Sequence, residues 1–234
     1  MAKEASSSTD DASVAGFLFD LDGTLVDSVY QHVLSWHEAL HSEGIELAVW
    51  RIHRRIGMSG GLFTNALFRE LGREVTDEMR TRLRQLHNEA YQRRAAQTRA
   101  LPGARELLDY LSAKGVPWAI GTSGRMESAR LTVAKLGLEA DKIPMVTRDQ
   151  VRYAKPDPDL FLAAAARLNI DVRHSIVVGD SVWDLLAARR AGALGVGLLS
   201  GGYGQDELER AGAYRVYEDP KDLLIHLDEV GVRR

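Results

Sequence analysis

Three short apolar runs, each closing on small or acidic residues, constrain this chain more than any other feature. They are Phe17-Leu18-Phe19-Asp20, Trp118-Ala119-Ile120-Gly121-Thr122-Ser123 and Ser175-Ile176-Val177-Val178-Gly179-Asp180. Runs so short and so continuous suit strands buried on both faces, as in a parallel sheet. Helical patterns fill the intervals at 104–114, 126–136, 160–168 and 182–191, and Gly115, Gly137 and Gly192 stand where three of them should close. Further strands are expected at 143–146, 194–199 and 214–217, with a closing helix at 223–230. This alternation predicts an α/β fold with a Rossmann-like, doubly wound parallel sheet.

One segment breaks the alternation. From 29 to 99 the pattern is helical throughout, and this segment separates the first strand from the second. It should therefore sit above the carboxyl edge of the sheet, where ligands bind in open α/β folds. The expected organisation is a flexible tail over 1–14, a core domain formed by 15–28 and 100–234, and an α-helical cap domain over 29–99.

With 234 residues, 45% of them hydrophobic, the chain can bury a substantial core. Its 30 basic and 33 acidic side chains nearly cancel, which argues against nucleic acid or an anionic membrane surface as a partner. The absence of cysteine excludes disulfides, thiolate metal sites and cysteine nucleophiles, and fits a cytoplasmic setting. Oligomeric state, monomer or homodimer, is left open.

The residues at the strand ends carry the chemistry. Asp20-Leu21-Asp22-Gly23-Thr24-Leu25-Val26-Asp27-Ser28 puts two carboxylates two residues apart where the chain leaves the first strand. Acids so close repel, and a bound divalent cation would neutralise them; ligation by oxygen alone favours Mg2+. Gly121-Thr122-Ser123-Gly124 offers hydroxyls and backbone amides suited to a phosphate group. Lys155-Pro156-Asp157-Pro158-Asp159 sets one of only six lysines just before a helix start, with Asp157 as the expected cap and Pro158 as the first helical residue. Asp180 and Asp184 lie four residues apart on one face of a helical turn, Asp180 completing a metal site and Asp184 bracing it.

In this order, these four elements resemble the four motifs of the haloacid dehalogenase superfamily, in its phosphatase branch with a helical cap. The branch includes phosphoglycolate phosphatase-like and β-phosphoglucomutase-like members, and the resemblance runs from Phe17 to about Gly204. It implies that Asp20 is the nucleophile and Asp22 the general acid and base. Thr122, Ser123, Gly124 and Lys155 would bind phosphate, and Asp20, Asp22 and Asp180 would hold Mg2+. The implied activity is hydrolysis of a small phosphorylated metabolite through an aspartyl-phosphate on Asp20. Like-charged neighbours would favour Asp22 starting the cycle protonated.

Other readings fit less well. Asp22 argues against a dehalogenase, which has no leaving alkoxide to protonate, and a segment 29–99 without lysine lacks the Schiff-base group of a phosphonatase. A β-phosphoglucomutase-like mutase is the alternative. His37-Glu38-Ala39-Leu40-His41 matches the H-E-x-x-H zinc pattern, but the segment reads as an amphipathic cap helix anchored by Val33, Leu34 and Leu40. Gly57-Met58-Ser59-Gly60-Gly61 matches G-x-S-x-G, yet the arginine-rich stretch before it cannot be a buried strand. It is read as a cap loop in which Arg55, Met58 and Ser59 meet the substrate. A receiver-type signalling domain shares the aspartate, hydroxyl and lysine set but needs no cap.

Overall fold

In the computed structural model, which describes residues 15–72 and 74–232, β1 (Gly16–Phe19) and the two-residue β2 (Val26–Asp27) lead into four helices. These are α1 (Val29–Ser42), α2 (Val49–His53), α3 (Gly60–Glu70) and α4 (Asp77–Arg94). β3 (Arg99–Ala100) then pairs antiparallel with β2, Val26 opposite Ala100 and Asp27 opposite Arg99. The chain continues through α5 (Ala104–Ala113), β4 (Trp118–Gly121), α6 (Met126–Val133), β5 (Met145–Val146), α7 (Asp159–Leu168), β6 (Ser175–Gly179) and α8 (Val182–Ala191). It ends with β7 (Leu194–Leu198), α9 (Gln205–Ala211), β8 (Ala213–Tyr217) and α10 (Pro220–Ile225). The tail expected over 1–14 lies outside the described residues. Among those described, no helix is long and apolar enough to cross a membrane.

Six strands form one sheet in the order β5-β4-β1-β6-β7-β8, each neighbouring pair parallel. Alternation along β1 explains why both faces are covered. Phe17 and Phe19 pack with Ile120 and Val178 against α5 and α6 on one face, while Leu18 packs with Val177, Leu160 and Ala187 on the other. From β1 the chain goes first to β4 on one side and later to β6 on the other. The strand order reverses there, opening the crevice in which such folds bind ligands.

The four helices between β2 and β3 have their own core of Val33, Trp36, Leu40, Ile52, Phe63, Leu67 and Leu83. Val29, Val33, Trp36 and Leu40 recur at helical spacing along the buried face of α1. Leu34, expected as an anchor, falls off that face and is exposed. The strand at 143–146 shortens to β5 because Pro144 has no N–H to give the ladder. The closing helix divides at His226 into α10 and a 3-10 turn over Leu227–Val230, and α7 begins at Asp159 with Pro158 as its cap.

Candidate active site

The turn after β1 builds the centre of the site. Asp20 N–H donates to Val178 O at 2.9 Å, extending the ladder one residue beyond the strand, and the chain then folds tightly as the amides of Leu25 and Val26 reach Leu21 O. Gly23 adopts φ +92°, and a Cβ there would lie 2.4 Å from Asp180 Oδ2; one on Gly201 would lie 1.9 Å from the same atom. Backbone thus closes around Asp180 from two sides where no side chain fits. Thr24 Oγ1 donates to Asp180 Oδ1 at 2.8 Å.

Lys155, fully buried, comes from the loop before α7. Its ammonium bonds to Asp20 Oδ1 and lies 2.8 Å from Asp184 Oδ1. Asp184 is fixed from behind, its Oδ2 accepting from Ser181 Oγ at 2.6 Å and Ser181 N–H at 3.1 Å at the start of α8. Carboxylate oxygens of Asp20, Asp180 and Asp184 all lie within 4.8 Å of one another. Among the described residues, one ammonium therefore faces three buried carboxylates.

The electrostatics follow from that imbalance. Burial pushes Asp20 up to about 7, with Asp184 and Asp22 adding to the effect and Lys155 opposing it. Asp180 is held well above the carboxylate range, by burial first and then by Asp184 and Asp20. Two buried acids that resist ionisation, an oxygen-only donor set and close-fitting backbone are the setting a small hard cation suits. The residues present therefore fit Mg2+.

Asp22 is differently placed. Its Oδ1 accepts from Ser28 Oγ at 2.6 Å and lies 3.3 Å from His32 Nε2. Burial acts against ionisation, but His32 and Ser28 outweigh it and hold Asp22 below its ordinary value. These partners favour the ionised form of Asp22, working against the like-charged neighbours that would favour a proton on it. Its carboxylate also stands outside the three-acid group, although the sequence pattern put it among the metal ligands. Ser28 occupies the N-cap position of α1 yet makes no cap bond, its hydroxyl being given to Asp22 and Val26 O instead.

A cavity of about 460 Å³ opens in front of Asp20 and Asp22, between the strand ends and the helical insertion. Thr122, Ser123 and Gly124 line it, whereas Lys155, Asp180 and Asp184 lie behind Asp20 and do not. Thr122 Oγ1 accepts from Gly124 N–H at 2.9 Å, and Ser123 Oγ donates to Gly57 O of the insertion at 2.9 Å. Arg55 and Met58 line the cavity as expected, although Arg55 is ion-paired with Glu70. Ser59 does not line it. Buried at the start of α3, it accepts from Leu62 N–H at 3.4 Å, and its own amide reaches Lys155 O at 3.3 Å.

Sequence reasoning missed His32 and His87. His32 Nδ1 and His87 Nε2 are 3.2 Å apart, and His32 stacks on Tyr91 with ring centres 3.9 Å apart. Burial, and then His32, hold His87 well below its ordinary value. The available signal was spacing, since Ser28 and His32 share a helical face immediately after the paired acids. The H-E-x-x-H residues form no shared site: Glu38 pairs with Arg93 and Arg94, and His41 with Glu46.

A cluster of contacts around Arg54 fastens insertion to core. Arg54 forks onto Glu207 and lies 4.3 Å over the Tyr203 ring, while Arg54 O accepts from Tyr203 Oη at 3.0 Å and Trp183 Nε1 at 3.3 Å.

Comparison with known proteins agrees with this geometry. Residues 14–192 match the haloacid dehalogenase-like hydrolase family. Hexitol phosphatase A of Escherichia coli (strain K12) is 35% identical over 179 residues, covering 76% of this chain and 79% of that protein. A phosphoglycolate phosphatase of Caulobacter vibrioides is 30% identical over 218 residues, covering 92% and 88%. The crystal structure of a hydrolase from Pseudomonas syringae superposes with a TM-score of 0.92 at 57% identity, covering 93% of this chain and 100% of that one. With an aspartate pair, a buried lysine and a third acid gathered where its parallel sheet reverses order, the chain belongs to the haloacid dehalogenase-like hydrolases and is a phosphatase of that superfamily.

Proposed function

We propose that the protein is a Mg2+-dependent phosphomonoesterase that cleaves a small phosphorylated metabolite through an aspartyl-phosphate on Asp20. The observation that carries this reading is the setting of Asp20. It is buried and locked to Lys155, and it faces the cavity beside an Asp22 that is held by a different set of partners. Two carboxylates in contrasting surroundings are what separate nucleophile and proton-carrier roles require.

Asp20 attacks phosphorus in line, and its new O–P bond forms as the ester P–O bond breaks. Lys155 fixes the attacking carboxylate, and Thr122 with the amides of the following loop receives the phosphoryl oxygens. Asp22 delivers a proton to the leaving oxygen; a phosphate dianion arriving beside it raises its proton affinity toward that task. In the second half Asp22 accepts a proton from water, which attacks phosphorus, breaks the bond to Asp20 and releases inorganic phosphate. Asp20 and Asp180, with Asp184 behind them, would hold the Mg2+. When bound, the ion supplies charge neutralisation at the carboxylates and the transferring phosphoryl group.

The same reading divides the chain into a core (15–28 and 100–234) and a specificity cap (29–99), working in the cytoplasm. It is tested by measuring phosphate released from a panel of small esters, with Mg2+ or with chelator, by the native chain and by Asp20→Asn. Release that needs the metal and vanishes in the variant supports it. No release from any ester by a folded, Mg2+-loaded chain overturns it, and an isomerised sugar phosphate in place of free phosphate turns it toward a mutase.

A further inference from the structure

The cavity wall facing Asp20 is more basic than its chemistry requires. The Thr122 loop already stands at the phosphoryl position, with Lys155 fixing Asp20 from behind, yet four arginines line the cavity. Two are matched by acids: Arg55 by Glu70, and Arg125 by Asp149 at 2.7 Å. Arg84 and Arg148 are not. Among the described residues, Arg84 reaches the Thr81 hydroxyl at 3.4 Å, Arg148 donates to Val151 O at 2.7 Å, and neither meets a carboxylate. The cavity's one acid besides Asp20 and Asp22 is Glu127, which accepts from Gln92 at 2.9 Å.

These two arginines approach from opposite walls. Arg148 belongs to the core, where its backbone amide bonds to Gly124 O at 3.0 Å and so sets it beside the phosphate loop. Arg84 belongs to the insertion. On α4, Thr81, Arg84, Gln85 and Asn88 follow the spacing i, i+3, i+4, i+7, and all four line the cavity. A helix face that presents hydroxyl, guanidinium and amide groups to an open cavity is suited to a hydroxylated ligand with a negative end. The volume, within the range of small-molecule sites, leaves room for several carbons beyond the phosphate.

We propose that the substrate is a polyhydroxylated phosphate ester with a second anionic group, a carboxylate or a further phosphate, bound by Arg84 and Arg148 away from Asp20. This rests on the phosphatase reading above and adds the substrate class.

The test compares kcat/KM for three six-carbon esters: 6-phosphogluconate with its carboxylate, fructose 1,6-bisphosphate with its second phosphate, and sorbitol 6-phosphate with neither. p-Nitrophenyl phosphate gauges the chemistry alone. The native chain should prefer at least one acidic ester over sorbitol 6-phosphate by tenfold or more, and which one distinguishes carboxylate from phosphate. The double variant Arg84→Met/Arg148→Met should lower that ratio by roughly ten- to hundredfold, and the corresponding lysine variants should restore part of it. Equal or better turnover of sorbitol 6-phosphate, or an unchanged ratio in the double variant, overturns the proposal while leaving the phosphatase reading intact. If even p-nitrophenyl phosphate is untouched, it is the phosphatase reading that fails. Calorimetric binding of the three esters to Asp20→Asn then decides the substrate class by the same ranking.

Discussion

Lys155 Nζ stands 2.8 Å from Asp184 Oδ1, both side chains wholly buried, while the same ammonium bonds to Asp20. Removing the lysine strands two buried carboxylates, a loss far larger than that of an exposed ion pair. Lys155→Met should lower the unfolding free energy by about 3–5 kcal/mol and abolish turnover. Urea titration reads the first effect and phosphate release the second. A loss under about 1 kcal/mol would mean that the pair is solvated in solution.

Asp20, moved from 3.8 to about 7, and Asp180, moved in the same direction, hold protons more tightly folded than unfolded. Groups raised in this way contribute stability below their unfolded values and lose it as pH rises through the folded ones. In chelator, the melting temperature should therefore fall between about pH 5 and pH 8. Asp20→Asn should flatten that slope, and Mg2+ should reverse it. A level profile for the chelated native chain would contradict the charge imbalance described above.

His32 touches Asp22 and no other acid of the site, so its removal separates positioning from chemistry. His32→Gln should reduce kcat by roughly ten- to hundredfold, less than Asp22→Asn. It should also move the acidic limb of the pH–rate profile upward, because Asp22 loses a partner that favours its charged form. A uniform loss with an unmoved profile would assign His32 to packing against Tyr91 alone.

The Arg54–Glu207 fork is more than a third exposed on both sides, so it contributes little to global stability. Glu207→Gln should cost less than about 1 kcal/mol in unfolding, yet raise KM by loosening the insertion against the core. Comparing denaturation with steady-state kinetics checks the pair; an unchanged KM would show that this contact does not set the insertion's placement over the substrate.

Much of this was legible in the residues. The runs containing Phe17, Ile120 and Val177 announced central parallel strands because two-sided burial leaves no polar alternation, and the carboxylates and lysine were visible because each follows a strand or precedes a helix. The His32–His87 contact was hidden, since it depends on how α1 and α4 cross, which periodicity does not encode. β2 and β3 escaped notice because two residues make no pattern. Ser59 sits in a glycine-rich motif that resembles a chemical one, whereas its side chain caps the start of α3. Asp22 is plain in the sequence, but its charge balance is not, because the nearby acids are adjacent in the chain whereas its contact with His32 depends on how the turn after β1 meets α1.

Val26 opposite Ala100 and Asp27 opposite Arg99 make the entry and exit of the insertion two strands of one ribbon. A segment that leaves and returns at adjacent points imposes no span on the sheet beneath it. Another helical insert could be carried on the same stem without displacing Asp20. Under the proposed function, part of substrate choice would travel with such an insert while the Asp20 turn stayed with the core, provided that the new insert kept a partner for Asp22 where His32 now stands.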